Sequence, residues 1–107
     1  MNGTLLRFYV HENRKYRHRL LYEFLLEQAK RLGIHGGSAF RAIAGFGRHG
    51  ILHEEHFFEL AGDLTVEIDF AVSDEEADRL LEFIRDERIS IFYVRMPIEF
   101  GVIEGNV

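Results

Sequence analysis

From Thr4 to His11 the chain alternates. Leu6, Phe8 and Val10 fall on one side and Leu5, Arg7, Tyr9 and His11 on the other, which predicts a half-buried strand. A polar, charged link runs from Glu12 to Arg17. From about Arg17 to Leu32, Leu21, Phe24, Leu25, Gln28 and Leu32 recur at three- and four-residue steps. Leu20 and Ala29 widen that stripe, so a helix is predicted. Gly33 suits its C-terminal cap, and Lys30 and Arg31 lie favourably against the helix dipole. Residues Gly37 to Phe46 read as a second strand, interrupted by small residues. His53 to Leu60 suit a short helical turn, and Gly62-Asp63 is a turn signal. Leu64 to Val72 alternates again: Leu64, Val66, Ile68, Phe70 and Val72 against Thr65, Glu67, Asp69 and Ala71. Ser73-Asp74-Glu75-Glu76 is a capping-box signature opening a helix to about Glu87, with Ala77, Leu80, Leu81 and Ile84 inward. Ser90 to Phe100 is the last predicted strand, with Phe92, Val94, Met96, Ile98 and Phe100 on one face. The tail GVIEGNV is expected to fray or to pair with a neighbouring copy. There is no linker and no repeat beyond the two strand–helix–strand halves, so residues 1–107 read as one domain.

The order βαββαβ predicts a ferredoxin-like α+β sandwich, a four-stranded antiparallel sheet with two helices on one face. That strand order puts the second and fourth strands at the edges. Pro97 falls in the fourth, where an edge tolerates proline.

The helices leave the other sheet face uncovered. Arg7, Tyr9, Glu67, Asp69, Tyr93, Arg95 and Glu99 are expected there, with Arg41 or Phe40 according to register. Such a face is either solvated, with scattered ion pairs of roughly 0–1 kcal/mol each, or a subunit interface whose opposite charges set register. Tyrosine and arginine favour the interface. The RRM fold shares this topology and stacks bases on aromatics of its first and third strands. Tyr9 suits that role, but Glu67 and Asp69 occupy the third strand and would repel phosphate, and the RNP1 pattern is absent.

Composition narrows the functional classes. A chain of 107 residues suits one hydrophobic core. Apolar residues at 47% and charged residues at 29% are ordinary for a folded protein. A formal charge of −5 disfavours broad nucleic-acid binding, which needs a positive footprint. With no cysteine, disulfides and thiolate chemistry are absent, which suits a reducing cytoplasm. The N-terminus lacks the order of a signal peptide, and no apolar run approaches the roughly 18 residues of a membrane span. A cytoplasmic location and no membrane insertion are expected.

The densest candidate chemistry is RAIAGFGRHGILHEEH, Arg41 to His56. Glycine lets a backbone come close to a ligand. If a phosphate sits at the base of the loop, amides near Gly45 and Gly47 approach it, with Arg48 as a charge-assisted donor and Arg41 or Arg95 contributing from a strand. Otherwise the glycines merely turn the chain and Arg48 is solvated. His49 joins the candidate ligand-binding set. A divalent metal is the alternative, held by His49, His53 and His56 with Glu54, Glu55 and Glu59. Gly50 disfavours the helix that would align those histidines, and the spacing matches no strong zinc signature. His11, His18 and His35 read as surface histidines. No catalytic motif is recognisable. Ser73 is explained as a cap, Ser38 and Ser90 fall in no Gly-x-Ser-x-Gly turn, and Glu67 with Asp69 is more simply ion-paired than catalytic.

TLLRFYV, a charged link, LLYEFLLEQAKRLGIHG, AFRAIAGFGRHGILH and LTVEIDF before an acidic helix resemble the uncharacterised DUF190 family. That family is grouped with the PII-like (GlnB-like) signalling proteins, and the resemblance spans roughly residues 4 to 100. It implies a ferredoxin-like subunit in a homotrimer with sheets facing inward. It also implies a small effector, such as an adenine nucleotide, in the clefts between subunits. A loop between the second and third strands, here about Gly47 to Asp63, would report the ligand to a partner such as a regulated transporter or enzyme.

Overall fold

The computed structural model of the chain describes residues 1–46 and 64–105. Its elements are β1 (Asn2–His11), β2 (Lys15–Tyr16), β3 (Arg19–Leu20), α1 (Leu21–Arg31), β4 (Ser38–Arg41), β5 (Thr65–Val72), α2 (Asp74–Asp86) and β6 (Phe92–Glu99). The main sheet has the order β4-β5-β1-β6 with antiparallel pairing throughout. This is the ferredoxin-like α+β sandwich the alternation predicts, with β4 and β6 at the edges.

Residues paired directly across antiparallel strands share a face, so the register assigns the two sides. On the helix side Leu6, Phe8 and Val10 stand opposite Phe70, Ile68 and Val66. All six are buried, together with Leu21, Leu25 and Ala29 of α1 and Ala77, Leu80, Leu81 and Ile84 of α2. The two helices pack over the central strands β1 and β5. Phe8 and Phe70 meet edge-to-face with ring centroids 6.2 Å apart.

Local chemistry explains the boundaries. The Ser73 hydroxyl accepts from the Glu76 N–H at 3.1 Å, and the Glu76 carboxylate accepts from the Ser73 N–H at 2.9 Å, completing the predicted capping box. Gly33, at φ 91°, ends α1 in the left-handed region that favours glycine.

Three expectations change. Helix α1 starts at Leu21 rather than near Arg17, because the link from Glu12 folds into a hairpin of β2 and β3 with Arg17 and His18 at its tip. The second strand is only Ser38–Arg41, exposed throughout, and residues 43–46 leave the sheet. The expected helical turn at 53–60 and the turn at Gly62-Asp63 lie outside the described residues.

The third change concerns the faces of β6. Tyr93 stands opposite Phe8, Arg95 opposite Leu6 and Pro97 opposite Thr4, so Tyr93, Arg95 and Pro97 turn to the helix side, with Glu99 of the same parity. Phe92, Val94, Met96 and Ile98 stand opposite Tyr9, Arg7, Leu5 and Gly3 on the open face. The expectation of three arginines against three carboxylates on that face is therefore wrong. Its charged centre is Arg7 with Glu67 and Asp69. Phe40, opposite Glu67, takes the open position, and Arg41, opposite Val66, takes the helix side.

Candidate functional site

The best-defined polar structure lies where β1, β4 and β5 end together. Glu12, just past β1, is only 7% exposed. One carboxylate oxygen meets the Arg41 Nε at 2.8 Å, and the other accepts from the Leu64 N–H at 3.3 Å. The Glu12 N–H donates to the Leu64 carbonyl at 2.8 Å, and the Ala42 N–H donates to the Thr65 carbonyl at 2.8 Å. One buried carboxylate thus ties the residue that closes β4 to the residue that precedes β5. Beyond Arg41 the chain turns outward, leaving Ile43 95% exposed.

Of the candidate ligand residues, Arg41 and Gly45 lie on this side, at and just beyond the end of β4. The Arg41 side chain is 68% exposed although its Nε is paired. Gly47, Arg48 and His49 lie outside the described residues, as do His53, His56, Glu54, Glu55 and Glu59. Among the described residues no group of three metal-ligating side chains converges. Arg95 sits on the opposite edge strand, β6. It reaches Asp78 Oδ1 at 2.9 Å and the Asp74 carbonyl at 3.4 Å, both on α2. Three strand spacings of about 4.8 Å separate the two edges, so one subunit does not bring Arg41 and Arg95 together.

Arg95 instead lines a shallow groove of about 650 Å³ with Asn2, Gly3, Thr4, Asp74 and Glu99. There the Thr4 hydroxyl donates to Asp74 Oδ1 at 2.6 Å. Sequence reasoning missed Glu12 and Thr4. Glu12 directly follows the last alternating residue of a strand, a position that reads equally well as ordinary link polarity.

On the open face Arg7 Nε lies 2.9 Å from Asp69 Oδ1 and 3.1 Å from Glu67 Oε2. One cation faces two carboxylates. Loss of solvent and the hydrogen bond and negative charge of Asp69 push the Glu67 carboxyl up, and Arg7 only partly opposes this. The guanidinium of Arg7 is pushed further up, chiefly by its hydrogen bond to Asp69. Around this cluster Leu5, Tyr9, Val94, Met96 and Ile98 are half-buried, and Phe40 is 55% exposed.

An antiparallel β4-β5-β1-β6 sheet with two helices on one side defines a ferredoxin-like sandwich. The chain shares that fold with CPII of Thiomonas intermedia K12, a nitrogen regulatory PII-like protein. Its complex with ADP and bicarbonate matches at a TM-score of 0.68 with 24% identity, covering 95% of this chain and 91% of that one. Its apo form matches at 0.63 with 20% identity, covering 96% of each. More specifically, the chain belongs to the DUF190 family (Uncharacterized ACR), whose model matches residues 3–95. A UPF0166 protein of Aquifex aeolicus (strain VF5) is 35% identical over 81 residues, 76% of this chain and 77% of the relative.

Proposed function

We propose that this chain is a PII-like regulatory subunit that assembles as a homotrimer through its open sheet face and binds a small anionic effector, an adenine nucleotide, between subunits. The observation that carries this reading is the inverted edge strand. The apolar side of β6 faces away from the chain's own helices, beside Tyr9, Arg7 and Leu5 of β1, which supports its burial against another copy. Arg41 and Arg95 occupy opposite edges, and a site using both draws them from two copies. CPII is described with ADP bound, which supports the choice of nucleotide. Gly45, Gly47, Arg48 and His49 belong to the same proposed site, with the 47–63 segment reporting occupancy to a protein partner such as a transporter or enzyme. The reading is of a binding protein rather than an enzyme.

Isothermal calorimetry against ADP, AMP, ATP and cyclic dinucleotides tests it. Saturable binding of an adenine nucleotide, weakened about tenfold or more by Arg41→Ala through loss of one charge-assisted contact, is the expected result. Heats indistinguishable from buffer for all of these ligands overturn the nucleotide, and a monomer at micromolar concentration removes the cleft.

A further inference from the structure

Among the described residues, the hairpin of β2 and β3 has the most unusual backbone. Its two tip residues, Arg17 (φ 52°) and His18 (φ 68°), both lie in the left-handed region. A two-residue hairpin turn of this type is ordinarily filled by Asn-Gly or Asp-Gly, because those residues adopt it with little strain. A longer side chain costs roughly 1–3 kcal/mol at each such position, and such strain collects at functional sites. Among the described residues only one other non-glycine, Arg88, has positive φ. It follows Glu87, and Glu87 is where the hairpin is fastened: the Tyr16 hydroxyl donates to its carboxylate at 2.5 Å, and Arg17 reaches it at 3.2 Å. The three strained residues therefore gather at one corner, and all carry basic side chains.

The rest of the hairpin has the same character. Arg14 to Arg19 reads RKYRHR in a chain of formal charge −5. Arg19 pairs with Glu27, and the Tyr16 ring packs 4.9 Å from Phe24, so both strands of the hairpin contact α1. Lys15 and His18 are exposed, and the Arg17 side chain is 69% exposed despite its pairing.

We propose that this hairpin is a docking surface for an acidic segment of a partner protein, separate from the effector site. Small-ligand sites are concave, whereas this patch is the exposed turn of a hairpin. The negative charge of the molecule as a whole opposes nucleic acid, whose binding needs a wide positive footprint. A short acidic stretch of protein meets the tip without meeting the rest of the surface. The turn is built of Arg-His where Asn-Gly is less strained, and this places two basic side chains at the tip.

Binding is read by fluorescence anisotropy with a labelled synthetic peptide of Asp and Glu residues, in low and high salt. An unlabelled single-stranded oligonucleotide of equal charge competes. Peptide binding that weakens with salt and falls about tenfold in Lys15→Gln plus Arg17→Gln, two rim charges steering one partner, supports the proposal. Lys30→Gln plus Arg31→Gln, an equal charge change at the far end of α1, leaves it unaltered. Equal weakening by both pairs, absence of peptide binding at low salt, or tighter binding of the oligonucleotide overturns it. His18→Gly is expected to raise Tm while weakening binding, and a Tm that does not rise overturns the strained-turn premise.

Discussion

At the scale of single residues, Glu67 bears on the response to pH and Glu12 on the response to mutation. Glu67 is held above the ordinary carboxylate range by burial and by Asp69. The folded chain therefore binds its proton more tightly than the unfolded chain does. The stability that Glu67 contributes is fullest below the ordinary glutamate pKa and declines as pH rises through the raised value. Glu67→Gln should flatten that decline, seen as Tm values that change less between acidic and neutral pH. A variant with the same slope as the parent removes Glu67 as its source. Glu12 acts differently, by holding two groups from separate parts of the chain. Glu12→Ala leaves the Leu64 N–H without its side-chain acceptor and Arg41 without its partner, an expected loss of about 1–3 kcal/mol in urea unfolding. Glu12→Gln keeps an acceptor and should retain most of that stability. Equal losses for Ala and Gln would mean that charge, rather than hydrogen bonding, carries the contact.

At the scale of elements, stops and starts rest on specific side chains. Ser73→Ala removes one half of the α2 capping box and should cost about 1 kcal/mol by denaturant midpoint. Just before β4, a Cβ on Gly37 would lie 2.4 Å from Cε1 of Phe70, a ring only 1% exposed. Gly37→Ala is therefore expected to destabilise by about 1–3 kcal/mol through overpacking. Thermal melts of the two variants check both. The legible elements were those whose signals are local: the alternation of β1 and β5, the stripe of α2 and its cap. The face of β6 was not legible. Phe92, Val94, Met96 and Ile98 read as a core-facing set because apolar residues normally turn toward a chain's own helices. The helices here cover β1 and β5, leaving the helix side of β6 to Tyr93, Arg95 and Pro97. Alternation reports which residues share a side, but not which side has a cover. The hairpin was hidden for a related reason: its turn uses Arg-His, so the usual glycine or asparagine signal is missing. Of the candidate site, Arg41 was legible as strand-end chemistry. Its partner Glu12 lies 29 positions away, and no local pattern connects the two.

At the scale of the whole molecule, the proposed assembly has a direct test. Met96 lies on the open face opposite Leu5, so Met96→Lys places a charge amid apolar side chains. Light scattering after size exclusion should show the parent as a trimer and the variant shifted toward monomer, while Lys30→Gln on α1 changes nothing. An unaltered mass for Met96→Lys moves the interface elsewhere. The Glu12 anchor also has an evolutionary consequence. Because one buried carboxylate ties Arg41 to Leu64, this corner of the sheet is held by contacts among Glu12, Arg41 and Leu64 themselves. Lengthening a flexible connection costs little in general, about 0.6 kcal/mol for each doubling. Relatives are therefore free to gain or lose residues between these two points while keeping the same scaffold, and diversification of recognition should concentrate there rather than in β1 or β5.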